Sequence, residues 1–516
     1  MNDLKKQISV GAILSYLQMG LSIVIGLIYT PIMIRLLGKS EYGLYNTASS
    51  IVSMLAILSL GFNSSYIKFY AKYKKEKDDI GIAKLNGLFL LIFACIGIVA
   101  LSCGLVLWGN TALVMGDKLT DQEYAISKVL ILLLTISLAV SFPMSVFANI
   151  ITAHEKFICL KLLGMIKTVL GPFVTLPVLL LGYGSIAMVA ISSALTVFTD
   201  ILYAVYVFAI LKQKFIFKKF PRGLFKEMCG YTVFIAINMI VDQINWNIDK
   251  IVLMQIKGPS MVAVYSVGYS LYSYYMMFSN SIANFFVARV HHVVQQTEDK
   301  ALMRVRLTEL FTKVGRIQLI ILGLIATGMV FFGKEFILTY WAGSGYEDAY
   351  WVALLLIIPS TIAMIQNLGI EIQRAENKHK FRSLVYSIMA IVNLVISIFL
   401  CQIYGAIGSA IGTAISLILA NGIIMNIYYH KKCNIDIIYF WKRIGRLSLG
   451  MLIPLGVGVL IMWLLPIDSV AYFLLGITGY TLVYCVSMWF LGMDKEEKFL
   501  LKNFLKKFRR KKHDSD

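Results

Sequence analysis

Apolar stretches of about 20 residues recur along the entire chain with short polar connections between them, and nothing else restricts the possible folds as strongly. As a helix rising about 1.5 Å per residue, a run of that length crosses the roughly 30 Å hydrocarbon layer of a bilayer. A strand of an outer-membrane barrel needs only about 10 residues and alternates in polarity. These runs are longer and do not alternate, so the expected fold is an all-α polytopic membrane protein. Composition agrees: 59% of the 516 residues are apolar and 15% are charged, against roughly 45–50% and 25% in soluble domains. Mean hydropathy is +0.76, and a water-soluble globule is excluded.

Windows of about 19 residues place fourteen spans, near 8–34, 44–66, 85–108, 129–151, 160–182, 186–210, 231–256, 262–288, 314–333, 351–370, 383–402, 406–428, 446–465 and 470–492. With both termini cytoplasmic, forty of the 48 Lys and Arg fall in inner segments or, as Lys161, Arg316 and Arg446, at the inner ends of spans. Six fall outside (Arg35, Lys39, Lys118, Lys128, Lys257 and Lys334), and Lys167 and Lys250 lie deeper within spans. Basic residues close to a span resist translocation, so this asymmetry sets the orientation, and a thirteen-span arrangement would destroy it. The formal charge of +20 is thus directed at lipid headgroups, with no nucleic acid expected.

Several chemistries are excluded by what the sequence lacks. The seven cysteines lie mostly in apolar spans, with no Cys-x-x-Cys pair, so neither a disulfide nor a metal is expected. All six histidines (His154, His291, His292, His379, His430, His513) fall in inner loops or the tail, and no Gly-x-x-x-x-Gly-Lys-Ser/Thr loop occurs. No cofactor is expected. Met1–Lys6 is polar and leads into a run too long for a secretory signal, so it opens the first span. Outer loops are short, the longest near 109–128 and 334–350; among inner ones only 289–313 and the tail after Gly492 exceed about 20 residues.

Three local patterns recur at nearly one offset. Gly38, Ser40 and Tyr45 match Gly258, Ser260 and Tyr265; Ala153 and Lys156 match Ala375 and Lys378; Tyr183-Gly184-Ser185-Ile186-Ala187 matches Tyr404-Gly405-Ala406-Ile407-Gly408. Three matches in order argue for duplication. The expected organisation is a six-helix lobe at 1–210, a second at 211–430, two further helices at 431–492 and a basic tail at 493–516. Six is even, so the two lobes are parallel repeats about an axis along the membrane normal.

The segment Arg35-Leu-Leu-Gly-Lys-Ser-Glu-Tyr-Gly-Leu-Tyr45, the segment Ala153-His-Glu-Lys-Phe157 and the Tyr-Gly-x-Ile turns, set in fourteen spans, resemble the polysaccharide (Wzx-like) flippases. These form part of the multidrug/oligosaccharidyl-lipid/polysaccharide (MOP) exporter superfamily, whose architecture is MATE-like. The resemblance covers essentially the whole chain. It implies movement of an undecaprenyl-diphosphate-linked oligosaccharide, an O-antigen, capsule or teichoic type of repeat unit, from the inner to the outer leaflet of a bacterial cytoplasmic membrane by alternating access. Polysaccharide polymerase and glycosyltransferases are the protein partners it suggests. Lipid II flippases carry several arginines inside the first lobe, whereas here Arg35 stands alone at the end of span 1; that departure argues against lipid II.

Charged residues inside spans are costly and mark a pathway by default. On span 7, Asn238, Asp242, Asn245 and Asp249 share one helix face, with Gln243, Asn247 and Lys250 as the adjoining stripe. That face reads as the wall of a wet cavity or as a network holding the helix to its neighbours. Asp242 lies about 16 Å along the span, near the midplane, and is the leading ion-coupling candidate, with Asp249 and Asp200 beside it. For substrate binding the candidates are Lys167, Lys250, Arg35, Asn238 and Asn245. Lys167 lies roughly 9 Å deep, next to a stretch that Pro172 is expected to kink. Its ammonium suits a diphosphate, though its stem also reaches back to the interface. Arg35 and Lys68 read equally as interfacial anchors, and Glu371 and Arg374 as an i,i+3 ion pair. The tyrosines of span 8 (Tyr265, Tyr269, Tyr272, Tyr274, Tyr275) read as belt residues or as surfaces for sugar rings. The tail Lys495–Lys512 reads as a basic amphipathic helix on anionic lipid.

A flippase fits these features best. A cation-coupled multidrug antiporter is the alternative, favoured by the acids and tyrosines but expected to have twelve spans. A membrane enzyme such as a polymerase or ligase would need a large external loop with catalytic Arg or His, which the chain lacks.

Overall fold

The computed structural model describes residues 2–218, 222–376, 378–465, 469–499 and 502. Among these residues the regular structure is helical, with no strand. In chain order the helices are α1 (Asn2–Met54), α2 (Phe62–Glu76), α3 (Asp79–Gly109), α4 (Thr111–Met115), α5 (Asp121–Ala153), α6 (Phe157–Leu180), α7 (Gly184–Val205), α8 (Arg222–Lys257), α9 (Pro259–Gln296), α10 (Lys300–Glu335), α11 (Glu347–Met364), α12 (Leu368–Ala375), α13 (His379–Leu417), α14 (Met425–Lys432), α15 (Ile437–Ser448), α16 (Leu452–Leu464) and α17 (Val470–Ser487).

Ten stretches among the described residues are long and apolar enough to cross a membrane. Two of them, Ser9–Glu76 and Lys380–Lys432, are 68 and 53 residues long, and each is broken at a glycine in the left-handed region, Gly38 (φ 74°) and Gly405 (φ 57°). The ten do not include α8 and α9, the helices over the expected spans 231–256 and 262–288. Counting each broken stretch as two crossings and adding these two helices accommodates fourteen spans. The protein is a multi-pass membrane protein.

The repeated sequence patterns carry repeated backbone conformations. Gly38 and Gly258 both have positive φ, 74° and 84°, and so do Gly184 and Gly405, at 69° and 57°. A side chain at such positions is strained, which is why the turns keep glycine. At the other pair, α5 ends at Ala153 and α12 at Ala375. The next turn then closes identically, with Lys156 N–H donating to Ile151 C=O (3.1 Å) and Lys378 N–H to Gln373 C=O (2.7 Å).

Two helices run past their apolar stretches. The segment 289–313, expected as a loop, is helical except at 297–299, because α9 continues to Gln296 and Asp299 caps α10 by accepting from Ala301 N–H at 2.9 Å. Elsewhere α5 opens on a capping box, Thr120 with Glu123, and α6 remains a single helix through Pro172 and Pro177.

The chain divides into two compact units, one of residues 1–266 with 390–412, the other of 267–389 with 413–516. In the first, Phe62, Tyr66, Phe69, Phe89, Phe93 and Phe147 form an aromatic core joining α2, α3 and α5. In the second, Phe311, Tyr429, Phe440, Ile444 and Tyr484 tie α10, α14, α15 and α17. Large apolar side chains such as Ile98, Phe173, Phe399, Trp463 and Phe490 are exposed, as the outer surface of a membrane helix requires.

Candidate functional site

The first unit holds two polar clusters inside its helices. In one, the Asp249 carboxylate on α8 is 2% exposed and accepts two hydrogen bonds, from Tyr265 Oη on α9 (2.7 Å) and Ser409 Oγ on α13 (2.9 Å). Ser397 Oγ donates toward Asn393 Oδ1 (3.1 Å) and Ser409 C=O (3.3 Å). Lys250 follows Asp249 in sequence and its charge acts on the carboxylate. Gly412 lets this cluster close: a Cβ there would lie 2.4 Å from Ser397 Oγ and 3.1 Å from Asn393 Oδ1. A buried carboxylate among hydroxyl and amide oxygens is a donor set for a proton or a hard monovalent cation. The site needs α13, whose residues 390–412 belong to this unit.

In the second cluster, Asp200 on α7 is half-buried and accepts from Ser141 Oγ on α5 (3.3 Å). Lys167 on α6 is exposed, and its ammonium interacts with Asp200 through space. Tyr203, one turn after Asp200, donates to Leu160 C=O on α6 (3.3 Å). A Cβ at Gly164 would meet Gln18 Nε2 at 3.2 Å, which places α1 beside the same stretch of α6. Lys167 and Asp200, 33 residues apart in sequence, thus share one polar patch.

The remaining candidates are dispersed. Asp242 is exposed, and Asn245 and Lys250 are half-buried. The stripe beside them faces α1: Asn247 Nδ2 donates to Gln243 Oε1 (2.8 Å), and Ser53 Oγ donates to Asn247 Oδ1 (3.2 Å). Arg35 is exposed, three residues before the break at Gly38. The Asn238 side chain lies outside the described residues, as does most of the tail beyond Phe499. Glu371 and Arg374 do pair, at 2.6 Å. Of the span 8 tyrosines, Tyr265 and Tyr275 are 2% and 1% exposed, so these two are neither belt residues nor open sugar platforms; Tyr275 Oη shares a hydrogen with Thr361 Oγ1 at 2.7 Å.

The Arg35–Tyr45 segment has a structural task. Ser40 donates to Glu123 in the α5 capping box, and Glu41 Oε1 accepts from Ser185 N–H (2.5 Å) at the start of α7. Gly43 packs so closely on the turn after α8 that a Cβ would sit 1.9 Å from Pro259 O. Sequence reading missed Ser141, Asn393, Ser397 and Ser409. The i,i+4 spacing of Asn393 and Ser397 on an apolar helix was the available signal.

Fold and polar clusters together define a polytopic helical membrane protein with charged groups inside its helices. A model of the family described as polysaccharide biosynthesis protein matches residues 9–287, more than half of the chain, which belongs to that family. A candidate O-antigen transporter of Shigella flexneri is 21% identical over 409 residues, covering 78% of this chain and 92% of that protein. Among solved structures, the lipid II flippase MurJ in an inward closed conformation has a TM-score of 0.66 at 17% identity, covering 93% of this chain and 97% of its own. An inward-facing multidrug resistance MATE family transporter of the MOP superfamily has a TM-score of 0.62 at 12% identity, covering 84% and 99%. These relatives are transporters rather than enzymes, and the fold is that of the MOP superfamily.

Proposed function

We propose that this chain is a flippase carrying an undecaprenyl-diphosphate-linked oligosaccharide from the inner to the outer leaflet of the bacterial cytoplasmic membrane by alternating access, with both termini cytoplasmic. The observation that carries the reading is membership of the polysaccharide biosynthesis family, supported by a flippase fold over 93% of the chain. Lys167 supplies a cation for the diphosphate, with Lys250, Arg35, Asn238 and Asn245 as further headgroup contacts. No covalent bond breaks during such a movement, so an ion gradient or consumption of the product must drive it. Asp249, buried and already hydrogen-bonded from two helices, is better placed for an ion than Asp242 or Asp200. Polymerase and glycosyltransferases would be its neighbours in the pathway, and the basic tail would lie on anionic lipid.

The MATE likeness favours a second reading, a cation-coupled multidrug antiporter. It leaves more of the chain unaccounted for: 84% is covered, against 93% for the flippase structure, although both neighbours are covered almost completely. In a host lacking its own exporter, the wild-type chain should restore surface glycan, and Lys167→Ala should abolish this while inserting normally. Drug efflux without any restored glycan would replace the first reading with the second.

A further inference from the structure

The second unit contains a large charged cavity that takes no part in the sites above. Its volume is about 1080 Å³, at the upper end of small-molecule sites. It lies where α9 and α10 run past their apolar stretches and meet α15 and the segment 494–497. Arg289, Arg306, Lys313, Arg443 and Lys495 supply its cationic lining, with His292 among them.

Four carboxylates also line it, and most of their charge is already committed. Glu497 and Asp494 hold the buried Arg316 (2.6 and 3.0 Å), Asp494 also holds Arg443 (2.5 Å), and Glu496 holds Lys313 (2.9 Å). That leaves Glu309 as the lining carboxylate without an ion pair among the described residues, against Arg289, Arg306 and Lys495 as lining cations likewise without one. Among the described residues Arg306 donates to a neutral group, Thr297 Oγ1 (3.1 Å). Two buried polar atoms in the lining, Thr312 Oγ1 and Arg443 Nε, have no hydrogen-bond partner among the described residues, and Thr312 is 3% exposed. A buried donor without an acceptor is costly.

We infer that this cavity binds a multiply charged phosphate group, presented either by an anionic phospholipid headgroup or by a soluble phosphate ester. Arginine forks suit phosphate oxygens, and the size of the cavity admits more than a bare ion. Bound there, the phosphate links the end of α9 and the first turns of α10 to α15 and the segment after α17.

The test uses the full-length protein in phosphatidylcholine nanodiscs. Inorganic pyrophosphate is titrated in one arm, and phosphatidic acid is added to the bilayer in the other, with thermal stabilisation as the readout. R289Q/R306Q should weaken the response about tenfold. K74Q/K75Q, the same charge change on α2, should leave it intact. A response to the lipid alone identifies a headgroup site, and one to pyrophosphate alone a soluble ester. No response in either arm, or equal loss in both variants, overturns the inference.

Discussion

Arg316 and Glu497, 181 residues apart, meet in a fork-to-fork ion pair, with Nε to Oε1 at 2.6 Å and Nη2 to Oε2 at 2.9 Å. The guanidinium is 2% exposed and the carboxylate side chain 7%. The remaining donors reach Arg443 C=O (2.8 Å) and Gly492 C=O (3.1 Å), and Glu497 Oε2 also accepts Asp494 N–H (2.8 Å). One side chain thereby fastens the segment after α17 to α10 and α15. Removing one partner of a buried pair leaves a charge without compensation, so Arg316→Met should destabilise by about 3–5 kcal/mol. Glu497→Gln, which keeps one hydrogen bond, should cost about 2 kcal/mol. Thermal unfolding of the purified protein measures both, and an R316M melting at the wild-type temperature contradicts the account.

Asp249 gives a sharper test of ion coupling than any other acid in the spans, because its shape and its charge separate cleanly by mutation. Asp249→Asn preserves volume and at least one of the bonds from Tyr265 and Ser409. Transport in proteoliposomes should lose its dependence on an imposed ion gradient. Tyr265→Phe removes one hydrogen bond to a charged group, about 1.5–3 kcal/mol, and should lower apparent ion affinity without abolishing movement. Unchanged gradient dependence in D249N would move the coupling site elsewhere.

Gly43 and Pro259 approach each other backbone to backbone. An alanine methyl at 43 would sit 1.9 Å from a carbonyl oxygen and 2.6 Å from its carbon, and neither atom can rotate away. Gly43→Ala should destabilise by about 3 kcal/mol. Gly20 offers the control in the same helix, since a Cβ there meets nothing within 4 Å; Gly20→Ala should be neutral or stabilising by about 1 kcal/mol. Equal melting temperatures for the two variants would refute the close contact.

His154, just beyond α5, is pushed below its ordinary value of 6.5, chiefly by burial, with Lys74 and Lys156 acting in the same direction. Its ring shares a hydrogen bond with Tyr70 Oη (3.0 Å) and with Ile150 C=O (2.9 Å). The folded chain therefore binds this proton less readily than the unfolded one. The contribution of the neutral ring is complete above about pH 6.5 and is lost as pH falls through and below it. His154→Gln should flatten that part of the stability curve between about pH 7 and 5; parallel wild-type and variant curves would exclude the histidine as its source.

Much of the architecture was legible because a bilayer acts on runs of residues. Span positions, the glycine turns at 38, 258, 184 and 405, and the matched helix ends at Ala153 and Ala375 all appear in the sequence as local patterns. The clusters were less legible. Asp249 and Asp242 lie on one helical face seven residues apart, yet one is buried and the other exposed, since helical periodicity assigns a face and not the neighbour that covers it. Ser141, Asn393, Ser397 and Ser409 are small polar residues on apolar helices, individually common there. Their importance comes from convergence alone.

The sequence by itself determined that this chain is helical, that it crosses a membrane many times, and that its turns are duplicated, because hydropathy, basic loops and glycine requirements are properties of short segments. Only the tertiary structure decided which polar groups meet. Asp249 finds its partners 16 and 160 residues away, and Arg316 finds its own beyond the last apolar helix. Inside a bilayer such groups must satisfy one another, and helix packing, which no local pattern encodes, selects the pairs.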